Sequence, residues 1–160
     1  MGESMSEWII TLPIAPVPKG RPRAFRMGNH VRMHTPKKTR DYEQKIAFLA
    51  SQSLPSKPIE GPIQLDVVAI LKRPKRLMRK KDPDGLLPHT SRPDIDNLRK
   101  AVMDGLKRHW RDDSQVCCGT SHKLYAEKEG LPRLVIKITS MAEHEVQIPE
   151  WITADINQEP

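Results

Sequence analysis

The 160-residue chain has few aromatic residues, only two cysteines and no long apolar run. Aromatic residues make up 4% and hydrophobic residues 37%, which predicts one domain with a modest core. The cysteines, Cys117 and Cys118, are adjacent and lack a second thiol pair, so they favour a reduced pair over a zinc site. No 18-residue apolar segment and no basic N-terminal region before an apolar stretch is found. We therefore expect a cytoplasmic protein without a signal peptide or membrane span.

Acidic residues are scarce over most of the chain. The 27 Lys and Arg residues against 20 Asp and Glu give a formal net charge of +7. Residues 141–160 hold five of the acids and no Lys or Arg, so residues 1–140 carry about +12. Such a charge predicts a polyanionic partner, and nucleic acid is favoured over a membrane because no amphipathic basic helix is evident.

The same charge division predicts one basic domain at 1–140 and an acidic C-terminal tail at 141–160. A plain disordered end is the simplest interpretation of this tail. DNA mimicry, shielding of the basic face and binding of a partner protein are the alternatives.

Apolar patterns and chain breakers predict an α+β fold, a single domain with a small mixed β-sheet and two main helices. The basic stretch before the first helix is predicted to be a loop or hairpin with a tight turn at Gly28-Asn29. Segment 72–93 is too long and polar for an ordinary connection, which indicates a basic flexible loop that is functional or disordered. Strands are predicted at 8–14, 62–71, 115–127 and 133–141, and helices at 39–53, capped by Thr39, and 95–109.

Five aspartates crowd into residues 92–116, which read RPDIDNLRKAVMDGLKRHWRDDSQV. Within a basic chain, such a cluster is typical of a site for a hard divalent cation, which prefers oxygen ligands. Asp94 and Asp96 are two residues apart, and Pro93 favours extended backbone before the helix, so both side chains could face one ion. The alternative is that one of them merely caps the helix.

The remaining polar residues of this stretch allow two interpretations each. Lys100 lies between Asp96 and Asp104 at intervals of four, which indicates either an exposed ion-pair ladder or a lysine that meets the scissile phosphate. Asp112 and Asp113 lie in a turn, where aspartates usually bond local amides. The chain could also fold back and bring one of them to the Asp94 and Asp96 end.

Two basic segments, residues 19–32 and the basic run at 72–81, are candidates for DNA contact, because phosphate contacts require only mobile cations near a groove. A solvated charge run is the alternative. The candidate DNA-binding residues are Lys19, Arg21, Arg23, Lys72, Arg73, Lys75, Arg76, Arg79, Lys80 and Lys81.

The stretch RPDIDNLRKAVMDGL followed by DDSQV resembles the RusA-type Holliday-junction resolvases, endodeoxyribonucleases of bacteria and their prophages. PVPKGRPR and TPKKTRDYE are similar to the phage-type branch, and the resemblance covers most of residues 8–140. It implies a cytoplasmic homodimer that uses Mg²⁺, or Mn²⁺, and no small-molecule cofactor, to nick four-way DNA junctions symmetrically in recombination and repair.

By motif position, the resemblance implies that Asp94, Asp96 and Asp113 are the metal ligands and that Lys100 is the essential lysine. Asn97, Asp104 and Asp112 are candidates for contacts around these ligands. We therefore expect metal-assisted phosphodiester hydrolysis, with the three carboxylates converging in the folded dimer. The alternatives are a non-catalytic DNA-binding protein and a nuclease that acts on other branched DNA or on RNA.

Overall fold

Alternating apolar residues build the central strands of the molecule. The computed structural model describes residues 5–143, 148–150 and 152. Its strands are β1 (Ser6–Leu12), β2 (Arg23–Met27), β3 (His30–His34), β4 (Ile63–Leu71), β5 (Leu87–Pro88), β6 (Val116–Cys118), β7 (Ser121–Tyr125) and β8 (Arg133–Ser140). Its helices are α1 (Lys37–Ala50) and α2 (Ile95–Leu106).

The main sheet has the order β1-β8-β4-β7-β5, and β6 lies beside the first residues of β4. Strand β4 is antiparallel to β8 and parallel to β6 and β7. This mixed sheet with two helices confirms the predicted α+β fold. The predicted strand at 115–127 is divided into β6 and β7 at Gly119, whose φ is +129°.

Both helices pack on one face of the sheet, where alternate residues of β4 and β8 are buried. The helices approach each other so closely at Gly105 that a Cβ added there would lie 2.8 Å from the Ile46 Cβ. The predicted cap of α1 is wrong: Pro36 is the capping residue, and the Thr39 hydroxyl instead accepts a hydrogen bond from the Gly20 amide at 3.1 Å. Trp110 is 2% exposed and belongs to the core.

The basic stretch before α1 forms the predicted hairpin. Strands β2 and β3 pair antiparallel around Gly28 and Asn29, and Gly28 has the positive φ of +61° that such a turn favours. The two strands form a separate two-stranded sheet in which every residue is exposed. This exposure sets the hairpin apart from the rest of the fold.

Segment 72–93 follows a defined path along the body of the protein. Arg73 is only 5% exposed, and its guanidinium donates to Ala126 O at 2.8 Å, to Pro83 O at 2.6 Å and to Gly85 O. One buried side chain therefore holds both ends of the basic run to the start of the β7–β8 connection.

None of the described helices has the length and apolar character needed to cross a bilayer. Most of the predicted acidic tail lies outside the described residues.

Candidate nuclease site

Asp94 and Asp96 lie where the chain enters α2. Asp94 precedes the helix with extended backbone (φ −74°, ψ 147°), and Asp96 lies in the first turn. Both residues are exposed. Asp94 occupies the N-cap position of α2, but its side chain makes no capping hydrogen bond, so the carboxylate is not used to cap the helix. Within residues 5–143 neither carboxylate forms an ion pair, which leaves their oxygens available to an external cation.

Two long side chains hold the backbone of this corner in place. The Lys123 ammonium, from β7, donates to Ser91 O and to Pro93 O, both at 2.6 Å. Arg99, in the second turn of α2, donates to Leu65 O at 3.0 Å and to Thr120 O at 3.1 Å. Burial lowers the pKa of Arg99, while the negative charge of Asp66 opposes that change. Sequence analysis missed Lys123 and Arg99, because nothing in their spacing distinguishes them from surface cations.

The carboxylate of Asp66, on β4 near Arg99, is hydrogen-bonded within the fold. It accepts hydrogen bonds from the Thr120 amide at 2.7 Å, the Thr120 hydroxyl at 2.8 Å and the Gln64 side chain at 2.8 Å. Burial by itself raises the pKa of Asp66, but these hydrogen bonds outweigh it and the pKa is lowered. Asp66 therefore joins β4 to the start of β7.

The ion-pair ladder, one of the two interpretations of Lys100 on α2, is absent from the described residues. Lys100 is exposed and forms no ion pair there, whereas the Asp104 carboxylate lies 2.6 Å from the Lys19 ammonium. Lys19 also donates to Glu43 of α1 at 2.6 Å. Burial lowers the pKa of Lys19, but the two carboxylates outweigh it and the pKa is raised. Lys19 thus joins the two helices, and Lys100 is left free beside Asp96.

Asp112 and Asp113 begin a short 3₁₀ turn at Asp113–Gln115. Asp112 caps this turn by accepting a hydrogen bond from the Ser114 amide at 2.8 Å, and hydrogen bonds from the side chain and the amide of Ser114 lower the pKa of Asp112. Asp113 accepts a hydrogen bond from the Trp110 indole at 2.8 Å. The two aspartates are exposed and are held at the C-terminal end of α2 by these local bonds.

Asp113 is far from Asp94 and Asp96 within one chain. The 12 residues of α2 between Asp94 and Asp113 span about 18 Å. The sheet gives a similar separation. Strand β6, which follows Asp113, pairs with Ile63 of β4, whereas Lys123, which bonds to Pro93, pairs with Ala69 of β4. Ile63 and Ala69 are six residues, or about 20 Å, apart along β4. Among the described residues, no three His, Cys, Asp or Glu side chains lie close enough to hold one metal ion. A single chain therefore presents Asp94 and Asp96 as a pair.

Asn97 lies beside this pair, and its carbonyl accepts a hydrogen bond from the Lys19 amide at 2.9 Å. The chain just before the hairpin is thereby fixed next to Asp96. Of the ten candidate DNA-binding residues, Lys19 and Arg73 are bonded within the protein, so we exclude them from the contact surface proposed below. The other candidates are exposed, and one of these, Arg79, pairs with Asp82 at 3.2 Å.

Comparison with known proteins gives a family match. A sequence profile of the family described as Endodeoxyribonuclease RusA matches residues 13–139. The matched region extends from the end of β1 to β8 and includes Asp94, Asp96, Lys100 and Asp113. An uncharacterised protein of Bacillus subtilis strain 168, YqaN, is 35% identical over 133 residues, which are 79% of this chain and 92% of that protein.

Proposed function

The chain belongs to the RusA family of endodeoxyribonucleases, and on that premise we propose that it resolves four-way DNA junctions as a homodimer that uses a divalent cation. The observation that carries the proposal is the exposed Asp94 and Asp96 pair, with Lys100 one turn further along α2 and without an ion-pair partner in the described chain. A cytoplasmic location stays a prediction from the sequence.

The donor set fits Mg²⁺ or Mn²⁺. Both ions take carboxylate oxygens, and the two side chains lie at the positive N-terminal end of α2, where carboxylates are favoured. A divalent cation bound there would supply Lewis-acid chemistry, polarising the scissile phosphate and making a water molecule acidic enough to attack phosphorus. Lys100 would contact the same phosphate and neutralise the charge that develops during attack. Lys123 and Arg99 would keep Asp94 and Asp96 fixed while DNA binds.

The third ligand would come from the second subunit. Asp113 and Asp94 lie at opposite ends of α2, which is about 18 Å long, while carboxylates that share one Mg²⁺ each lie about 2 Å from it. A two-fold dimer can place the Asp113 end of one chain against the Asp94 corner of the other, and it would do so twice. Two such sites would match the two strands of a junction that are nicked.

The direct test is cleavage of a labelled four-way DNA junction with and without Mg²⁺. Linear duplex of the same sequence and a structured RNA serve as matched substrates. We expect paired, symmetric nicks in the junction that depend on Mg²⁺, and little cutting of the other two. Cutting of RNA instead of DNA would support the RNA-nuclease alternative, and tight junction binding without cutting would support the non-catalytic one.

The exposed basic run predicts how binding responds to salt. Alanine at Lys75, Arg76, Lys80 and Lys81 removes four exposed cations. If each contacts a phosphate, the slope of log affinity against log salt should become shallower by up to about 4, and affinity should fall.

Fluorescence anisotropy with a labelled junction between 50 and 200 mM salt would measure this change. Lys45→Ala with Lys57→Ala is the control, because both residues are exposed and lie outside the two basic segments. A slope that stays unchanged in the fourfold variant would remove the basic run from the DNA-contact surface.

A further inference from the structure

The β2–β3 hairpin has a composition that its position within one chain does not explain. Phe25 is 60% exposed, Met27 57%, and Val31 and Met33 66% each. A two-stranded sheet is only marginally stable in water by itself, and apolar side chains that stay exposed to water do not stabilise it. The exposed apolar residues of the hairpin therefore predict contact with a partner molecule.

Cross-strand register divides the hairpin into two faces. Residues directly opposite each other share a face, and successive residues alternate. Phe25 is opposite Arg32, and Arg23 is opposite His34, so these four residues lie on one face together with the Met27 and His30 pair. That face, the Phe25 face, carries the phenyl ring of Phe25, with Arg23 two residues away along β2 and Arg32 opposite it on β3.

Charge identifies the kind of partner. Residues 8–40 contain eight Lys and Arg and no Asp or Glu. Arg21, Arg23, Arg26 and Arg32 are exposed and form no ion pair within the described ranges. An aromatic ring flanked by arginines fits a nucleic-acid base with its neighbouring phosphates, since bases stack on rings and arginines pair with phosphates.

The base of the hairpin lies beside the candidate nuclease site. The Lys19 amide bonds to the Asn97 carbonyl, one residue from Asp96, and Gly20 bonds to Thr39 of α1. Strand β2 begins only three residues after Gly20. A nucleic acid held at Asp94 and Asp96 is thus within reach of the Phe25 face.

We propose that the Phe25 face stacks on an unpaired or unstacked base at the branch point of a DNA junction, with Arg23 and Arg32 on the flanking phosphates. This inference rests on the proposed function and deepens it, because it assigns preference for branched DNA to a particular element. Bases within a linear duplex are already stacked, so the ring has no partner there. The hairpin would therefore contribute more to junction affinity than to duplex affinity.

The test measures binding in EDTA, so that no cleavage is required. Phe25→Ala should weaken junction binding by between about 5-fold and 100-fold and leave duplex affinity within about twofold. A 2-aminopurine at the branch point should change its fluorescence on binding the natural protein and respond much less to the variant. Phe25→Trp, which keeps a stacking ring, should restore both signals.

Phe48→Ala is the matched control, since Phe48 is the second phenylalanine, is 66% exposed and lies on α1. It should bind junction and duplex like the natural protein. If Phe25→Ala binds and cuts junctions normally with unchanged 2-aminopurine fluorescence, the inference fails while the proposed function stands. If Phe25→Ala instead changes the mass of the particle in solution, the face covers a second copy of the chain and the inference fails. A natural protein that neither prefers nor cuts junctions overturns both.

Discussion

An equal mixture of Asp96→Asn and Asp113→Asn subunits should regain DNA cutting that neither variant shows alone. Each single variant loses a metal ligand from both sites of its homodimer. Loss of groups that merely contact ligands typically costs 10- to 100-fold, so loss of a ligand should lower cleavage by more than about 100-fold. Junction binding should persist or tighten, because a negative charge is removed beside the DNA.

Restoration follows from the separation of Asp113 and Asp96 at opposite ends of α2. If each site takes Asp96 from one chain and Asp113 from the other, a mixed dimer collects both substitutions in one site and leaves the second site intact. Random exchange makes about half of the dimers mixed, so about a quarter of the natural sites should be active. If both residues acted within one chain, every site in the mixed dimer would lack a ligand.

A supercoiled plasmid with an extruded cruciform distinguishes these results in one gel. The natural dimer should linearise it by paired nicks, whereas a mixed dimer with one intact site should stop at nicked circles. Asp41→Asn is the matched control, because Asp41 is an exposed aspartate on α1 outside the candidate site, and it should linearise the plasmid. An inactive mixture would contradict the shared site, and full activity of Asp113→Asn would remove Asp113 from the ligand set.

The sequence predicted those parts of the fold that depend on periodicity. The alternating apolar residues of β4 and β8 and the stripe on α2 each specify one buried face, and these elements were predicted within a few residues of their bounds. The Gly28-Asn29 turn was equally local. Helix ends were less accurate: α1 ends at Ala50 and α2 at Leu106, each three residues before the predicted end, since ends depend on packing as well as on propensity.

Partners of long charged side chains could not be predicted in this way. Lys19 and Arg73 look like their basic neighbours in the sequence, yet one joins two helices and the other is buried among carbonyl oxygens. Their partners are distant along the chain, for example 24 residues for Glu43 and 53 for Ala126. The same limit applies to Asp113, whose position relative to Asp94 follows from strand pairing, and whose role in the dimer stays a prediction.

Gly119→Ala should cause the largest loss of stability among single alanine substitutions at glycine. Gly119 has φ +129°, which L-residues rarely adopt, and an added Cβ would overlap the Leu65 carbonyl oxygen on β4. Backbone strain of about 1–3 kcal/mol and a similar cost of overpacking together predict a loss of about 3–5 kcal/mol in the free energy of unfolding. Urea denaturation followed by circular dichroism would measure it.

Two other glycines separate the contributions to this loss. Gly85→Ala meets nothing within 4 Å and lacks a positive φ, so its free energy of unfolding should change by less than about 0.5 kcal/mol. Gly28→Ala has φ +61° but open space, so it should cost only the left-handed conformation, about 1–2 kcal/mol. The displaced Leu65 carbonyl also accepts from Arg99, so Gly119→Ala should lower junction cleavage even where the protein stays folded. If Gly119→Ala costs no more than Gly28→Ala, the connection between β6 and β7 does not lie against Leu65 of β4, and the support for the Asp94 corner through Arg99 is lost with it.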